Sequence, residues 1–381
     1  MLPILDLKRS WEEIKEETLL KIADVMDSQD FILGSEVSEF EREIESFLGG
    51  GYAVGCASGS DALVLALMAL DLKPGDEVIT TPFSFFATVS CITRLNLIPV
   101  FADVRPDTFN IDTDEALKKI TQRTKAFLPV HIFGQMTPFD CIMPELNARG
   151  IKVVEDTAQS LGSFRQTNGD KIYAGAIGDI GVFSFFPTKN LGAAGDGGMM
   201  FSKKPELGER LKRLRVHGSK KQYFHEEVGL NSRLDTLQAA ILRIKFKKFD
   251  AWNKARREIA LKYNALFENK NLLERVAIPV ESQGNYHIYH QYVVRINGPE
   301  ESRDELHKFL SEHGIGTKVY YPLSLHLQKC FEFIGGKTGD FPVCENLTKS
   351  VLALPIFPGL TENEQEFVVE TISEFFNKQR N

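Results

Sequence analysis

From about residue 52 the chain repeats one pattern: a short run of apolar, β-branched residues, a helix-like stretch, then another such run. The runs are YAVGCAS (52–58), EVITTP (77–82), LIPVFADV (97–104), KAFLPVHIF (125–133) and IKVVEDTA (151–158). Alternation of this kind predicts an α/β fold. Hydrophobicity is continuous within each run, so both faces of every strand are expected to lie under helices, as in a mostly parallel sheet. Two further runs, IGVFSFF (180–186) and GGMMFS (197–202), have little helix between them and predict an antiparallel edge or a hairpin.

Beyond them, LQAAILRIKFKKFDAWNKARREIALKYNALF carries apolar residues at three- and four-residue spacing without proline. That spacing predicts one long helix, or two abutting, linking two domains. A strand at 290–296 and helices at 302–314 and 361–378 then make a smaller α+β domain. The division is expected at residue 248, with a large domain over 1–248 that includes the N-terminal segment and a small one over 249–381. A length of 381 residues suffices for two cores. Only the last few residues are expected to lack order.

Charge narrows the functional classes. Forty-five basic against 52 acidic residues leave a net charge of −7, which argues against nucleic acid as a partner and requires any anionic ligand to have a local site. The N-terminus, MLPILDLKRSWEEIKEETLL, meets charge at its sixth residue and lacks the basic start and apolar run of a signal peptide, and the composition suggests no membrane residence. A cytoplasmic location is expected. Cys56, Cys91, Cys141, Cys330 and Cys344 are scattered and form no CxxC pair, so small core residues are expected rather than disulfides or a metal site.

Four polar groupings border the strand ends. In CASGSDALVLALMAL a strand runs into a helix at Ser-Gly-Ser, where free backbone N–H groups and the positive dipole end bind phosphate well. Gly59 permits close approach and Ser60 can cap the helix or donate a hydroxyl; an ordinary serine cap would read the same way. Neither the GxxxxGK[ST] lysine nor GxGxxG is present. TPFSFFATV (81–89) places three aromatics after a strand end, to carry a flat ring or to fill the core.

The third grouping is IKVVEDTAQS, which sets Glu155, Asp156 and Gln159 at the carboxyl end of an apolar strand, the edge where α/β sheets bind ligands. A carboxylate buried there needs a cation, which a protonated pyridine nitrogen supplies; a helix-capping aspartate is the alternative. Lys189, in VFSFFPTKNLGAAGDGG, follows a strand that should deliver it to the same edge. Partial burial there would lower its pKa and make the amine nucleophilic. Together these groups suit a phosphorylated, carbonyl-bearing cofactor.

With these residues assembled, the chain resembles the DegT/DnrJ/EryC1/StrS family of nucleotide-sugar aminotransferases, of the fold type I, aspartate aminotransferase-like class. The resemblance runs nearly end to end, through FILGSEVSEFE (31–41), SGSDAL (58–63), TPFSFFAT (81–88), HIFGQ (131–135), VVEDTAQSLGS (153–163), SFFPTKNLGAAGDGG (184–198), GLNSRLDTLQAA (229–240), YHQYVVR (289–295) and LALPIFPGLT (352–361). It implies a large domain with a mixed, mostly parallel seven-stranded sheet between helices, and a smaller α+β C-terminal domain. It also implies pyridoxal 5'-phosphate as cofactor, cycling through pyridoxamine phosphate in a ping-pong reaction. L-glutamate is the implied donor and a nucleotide-linked keto-sugar the acceptor.

Position by position, Lys189 matches the lysine that holds the cofactor and Asp156 the partner of its pyridine nitrogen. Gln159 matches the residue near the phenolic oxygen, Phe85 the aromatic stacked on the ring, and Gly59, Ser60 and Ser184 the phosphate cradle. Asn231 matches an asparagine that reaches the neighbouring subunit's phosphate, which implies a homodimer with shared sites. The family's frequent HYPxPLHLQ stands here as YYPLSLHLQ, with Tyr320 for histidine and Ser324 for proline, which leaves the sugar open. SGSDAL keeps the hydroxyl of the family's SGTDAL. Relatives with histidine in place of the lysine are dehydratases, so Lys189 favours transamination. The stretches HGSKKQYFHEEVGLNSRLD (217–235) and LHLQ (325–328) look most like members acting on 3-keto sugars, with 4-keto sugars open, and Tyr321 and His326 are candidate substrate contacts. Two rivals remain: a catalytically silent, regulatory relative, and a dehydrogenase suggested by the α/β pattern alone.

Overall fold

The expected strands form as β1 (Tyr52–Cys56), β2 (Glu77–Thr80), β3 (Ile98–Phe101), β4 (Thr124–Phe127) and β5 (Lys152–Asp156). With β6 (Ile180–Ser184) and β7 (Gly198–Ser202) they make one seven-stranded sheet in the order β1-β7-β6-β5-β4-β2-β3. The structure is a computed structural model that describes residues 1–167, 169–299 and 302–378, so the expectation about the last few residues falls largely outside the described ones. Strands β3, β2, β4, β5 and β6 are mutually parallel, whereas β7 runs antiparallel to both β6 and β1. The antiparallel strand is therefore not an edge. It lies inside the sheet because β1 pairs along its outer side and becomes the edge itself.

Both faces of the central strands are buried, which explains their unbroken apolar runs. Val54, Val154, Val182 and Met200 pack on one face with Leu63 and Ala66 of the helix Gly59–Met68. Ala53, Phe183, Met199 and Phe201 point the other way, against Phe40 and Ile44 of Ser35–Phe47 and Leu242 of Thr236–Phe246. Each fully buried side chain of this size contributes about 1.5–3 kcal/mol.

The long helical run is two helices, Thr236–Phe246 and Phe249–Asn269, broken at Lys247 and Lys248. We propose the domain division within this break. After it, Tyr292–Ile296 is the centre of a three-stranded antiparallel sheet between Val276–Ala277 and Val351–Leu354. Helices Phe249–Asn269, Ser302–Glu312 and Glu362–Lys378 close a second core around Tyr263, Tyr292, Leu306 and Ile372. Leu2 belongs to that core: it bridges Ile315, and its N–H donates to the Gly314 carbonyl at 2.8 Å. Arg9 pairs with Glu364. The first residues thus pack on the C-terminal part of the chain, although the sequence grouped them with the large sheet.

Cys56, Cys91 and Cys344 are buried as core residues should be, but Cys141 and Cys330 are exposed. Among the described residues no cluster of His, Cys, Asp or Glu is arranged to hold a metal, and no helix is long and apolar enough to cross a membrane.

Candidate active site

Strand β5 ends on Asp156, and strand alternation decides what its neighbours do. Asp156 shares a face with Val154, while Glu155 turns to the opposite side. There Glu155 accepts the N–H groups of Gly175, Ile177 and Gly178 at 2.7–2.9 Å and faces His131 Nε2 at 2.9 Å. His131 Nδ1 accepts from the Thr137 N–H at 3.0 Å, so Nε2 carries the proton and donates to Glu155. Glu155 braces loops, a correction to its grouping with ligand-facing residues.

Asp156 is 5% exposed. Thr88 Oγ1 donates to its Oδ2 at 2.8 Å, Ser84 stands 2.8 Å behind Thr88, and the Ala158 N–H donates to Oδ1 at 3.2 Å. Burial pushes the carboxyl's pKa up, and Thr88, Ala158, Lys189 and His131 oppose it.

After β6 the chain folds into a tight turn, with the Lys189 N–H donating to the Phe186 carbonyl at 2.8 Å. A Cβ at Gly192 would lie 2.4 Å from the Pro187 carbonyl oxygen, so a larger residue would open the turn. Lys189 is half-buried, and desolvation pulls its pKa down to about 8 against the upward influence of Asp156. The turn is anchored next door. Asn190 Nδ2 donates to Asn253 Oδ1 at 2.7 Å, and His290 Nδ1 donates to Asn190 Oδ1 at 2.6 Å. Burial, then the charges of Lys189 and Arg256, hold the His290 pKa well below its ordinary value, so the imidazole is neutral.

Gln159 is committed at both ends: its Oε1 accepts the Phe133 N–H at 2.8 Å, and its Nε2 donates to the Tyr321 hydroxyl at 3.0 Å. Tyr321 is therefore brought to the predicted group. His326 is not: its side chain is sealed from solvent among Phe101, Phe341 and Glu345. Tyr320 lies against Tyr321 with ring centres 5.9 Å apart and planes inclined by 60°, and Ser324 is buried, its hydroxyl accepting from Cys344 Sγ at 3.1 Å. Phe85 is 58% exposed, available as a platform, whereas Phe83 is core.

The helix after β1 starts at Gly59 and is capped by Ser58, whose Oγ accepts the Asp61 N–H at 3.1 Å. Capping by Ser60 is thereby corrected: Ser60 lies one residue inside the helix, exposed, with its hydroxyl available. Gly59 lies against Ser184, where an added Cβ would come within 2.7 Å of the serine Cβ. Asn231 is exposed on a bridge to Val216, while Ser232 is buried and ties Ala57 to Asp61.

Thr88, Ser84, Asn190 and His290 were missed by sequence reasoning. Ser84 and Thr88 carried a faint signal, two hydroxyls four residues apart in an aromatic run. The Asn190–His290 contact spans a hundred residues and carried none.

A mostly parallel sheet that presents a low-pKa lysine, a buried carboxylate and a glycine-pinched helix start at one edge defines a fold type I pyridoxal-phosphate enzyme. The sequence profile of the DegT/DnrJ/EryC1/StrS aminotransferase family matches residues 12–373, and the chain belongs to that family of pyridoxal-phosphate-dependent aminotransferases. It is 46% identical to the pleiotropic regulatory protein of Geobacillus stearothermophilus, covering 98% of each chain. It is 41% identical to the UDP-N-acetyl-3-dehydro-alpha-D-glucosamine 3-aminotransferase of Acidithiobacillus ferrooxidans, covering 95% of each. Among solved structures, DesV of S. venezuelae superposes with a TM-score of 0.92 at 37% identity, covering 98% of each chain.

Proposed function

We propose that the chain transfers an amino group from L-glutamate to the C3 keto carbon of a nucleotide-linked sugar, in two half-reactions through pyridoxamine phosphate. The observation that carries this reading is a half-buried Lys189, its pKa lowered to about 8, brought to the same sheet edge as a buried Asp156 whose charge acts on it.

The residues present suit pyridoxal phosphate. A carboxylate buried at a sheet edge needs a cation, and a protonated pyridine nitrogen provides one. When bound, the cofactor supplies an electron sink at the carbon that gains or loses the proton. Asp156 would hold the ring nitrogen's proton, with Thr88 keeping the carboxylate ionised. Lys189 would attach the cofactor and, once released, carry a proton to and from the reacting carbon. Gln159 would sit by the phenolic oxygen, oriented by Phe133 and Tyr321. Phe85 would cover the ring, and Gly59, Ser60 and Ser184 would cradle the phosphate at the helix start. Tyr321 remains a candidate substrate contact. Asn231, exposed on its bridge, would reach the phosphate of a second copy, which makes the working unit a homodimer. A cytoplasmic setting is consistent with nucleotide-linked substrates.

Choice of C3 rests on likeness to relatives, among them the Acidithiobacillus enzyme named for that position. The regulatory name of the Geobacillus relative favours a second reading, a catalytically silent regulatory relative that binds the cofactor without turning over sugar. Both meet one experiment. The purified protein is given glutamate and a panel of UDP- and dTDP-linked 3-keto and 4-keto sugars, and amino products are sought by mass spectrometry. Amination of 3-keto sugars is expected. Turnover of 4-keto sugars alone would move the carbon, and conversion of simple keto acids without any sugar would sink the sugar assignment.

A further inference from the structure

A cavity of about 230 Å³ opens beside the Lys189 turn, between the N-terminal segment and the two linking helices. Its charged lining is Lys189, Lys245 and Arg256, and no carboxylate lines it. Arg256 is 4% exposed and pairs with no carboxylate among the described residues. Its Nη1 donates to the Ile356 carbonyl at 2.9 Å and to the His290 carbonyl at 3.4 Å. A guanidinium carries five N–H donors, so two backbone carbonyls leave most of its capacity open. Lys245 donates to the Gly192 carbonyl, an acceptor that leaves its charge uncompensated. Burial lowers the pKa of Arg256 to about 10 and lowers that of Lys245 too. Buried cations without a counter-charge are costly, and an anion that joins them removes the cost.

The rest of the lining is largely apolar and includes Trp11 and Trp252, the latter one helical turn before Arg256 on the same helix. The volume lies below the ~300–1,000 Å³ of sites for drug-sized ligands, which suits a small acid rather than a nucleotide-linked sugar.

We infer that this cavity takes the carboxylate of a small amino acid or 2-oxo acid, with Arg256 and Lys245 on the anion and its methylenes against Trp11 and Trp252. The inference rests on the aminotransferase reading, which requires an amino donor and returns its oxo acid next to Lys189.

Trp11 and Trp252 are the chain's two tryptophans, so intrinsic fluorescence reports occupancy without turnover. Glutarate, which has neither amine nor keto group, is titrated into the cofactor-loaded protein, with inorganic phosphate and UMP as comparison anions. A saturable change with glutarate is expected, with affinity at least tenfold weaker in Arg256→Gln and in Lys245→Gln and largely recovered in Arg256→Lys. Should Arg256→Gln fail to fold, Lys245→Gln carries the comparison. The spectroscopic half-reaction with L-glutamate should show the same loss in apparent affinity. The site is refuted if glutarate produces no saturable change in the wild type, if the variants bind it undiminished, or if phosphate or UMP binds as tightly. A wild type that binds glutarate yet converts no amino acid would instead overturn the aminotransferase reading and leave the carboxylate site standing.

Discussion

Thr88 Oγ1 stands 2.8 Å from Asp156 Oδ2 and gives that carboxylate its closest side-chain hydrogen bond, with Ser84 a further 2.8 Å behind. An ionised carboxylate only accepts, so the Thr88 proton points at Asp156 and Ser84 donates to Thr88. A hydrogen bond to a charged group contributes about 1.5–3 kcal/mol. Thr88→Val keeps the shape and deletes the bond, so pyridoxal phosphate should bind roughly 10- to 100-fold more weakly by absorbance titration. An unchanged dissociation constant would separate Thr88 from the task assigned to Asp156.

Lys189 yields a prediction about pH. Burial holds its folded pKa near 8, whereas an unfolded lysine titrates near 10.4. Between roughly pH 8 and 10 the unfolded apoprotein therefore binds more protons than the folded one, and this residue's contribution makes stability rise with pH. Below pH 8 both states are protonated, and the cost of burying the ammonium is constant. Lys189→Met should accordingly exceed the wild type in urea midpoint by most below pH 8, and the gap should narrow toward pH 10. A gap that does not change across that window would return Lys189 to an ordinary solvated loop.

The residues that were legible in the sequence are those whose local pattern carries their physics. Continuous apolar runs such as VFSFF identified β6 because both Val182 and Phe183 are buried, on opposite faces. Asp156 was legible because a carboxylate closing an apolar strand has few inexpensive explanations. Glu155 was misjudged because a one-residue step reverses the face, and only the packed structure places Gly175 and His131 there to receive it. Strand order was equally hidden, since nothing local says that β7 pairs with β1. His326 lay in a family-like motif, but its burial depends on Phe101 and Phe341, both distant in sequence.

His290 should act through position rather than charge. It donates to Asn190, which in turn donates to Asn253, so His290→Ala unties the residue adjoining Lys189 and leaves a part-buried acceptor unmet. A stability loss of about 1–3 kcal/mol is expected in denaturant melts, together with a fall in kcat. The wild-type imidazole is already neutral across the ordinary histidine range, so the acid limb of the pH–rate profile should keep its midpoint in the variant. Disappearance of that limb would mean that His290 ionises during the reaction.

Gly59 tests the phosphate cradle. Its backbone does not demand glycine by conformation; space does, because an added Cβ would lie 2.7 Å from Ser184 Cβ and 3.2 Å from Ser184 Cα. Neither contact is with the end of a flexible side chain, so the helix start or β6 must move, and overpacking of this kind costs about 1–3 kcal/mol. Such a shift would misalign the backbone N–H groups of the helix start, which are fixed donors and cannot reorient singly. Gly59→Ala should therefore bind pyridoxal phosphate at least tenfold more weakly, while binding of pyridoxal, which lacks the phosphate, changes little. The two titrations separate a damaged cradle from a generally distorted site. Equal weakening of both ligands would place the phosphate elsewhere, and Ser184→Ala, which removes a hydroxyl without crowding, should reproduce the selective loss on a smaller scale.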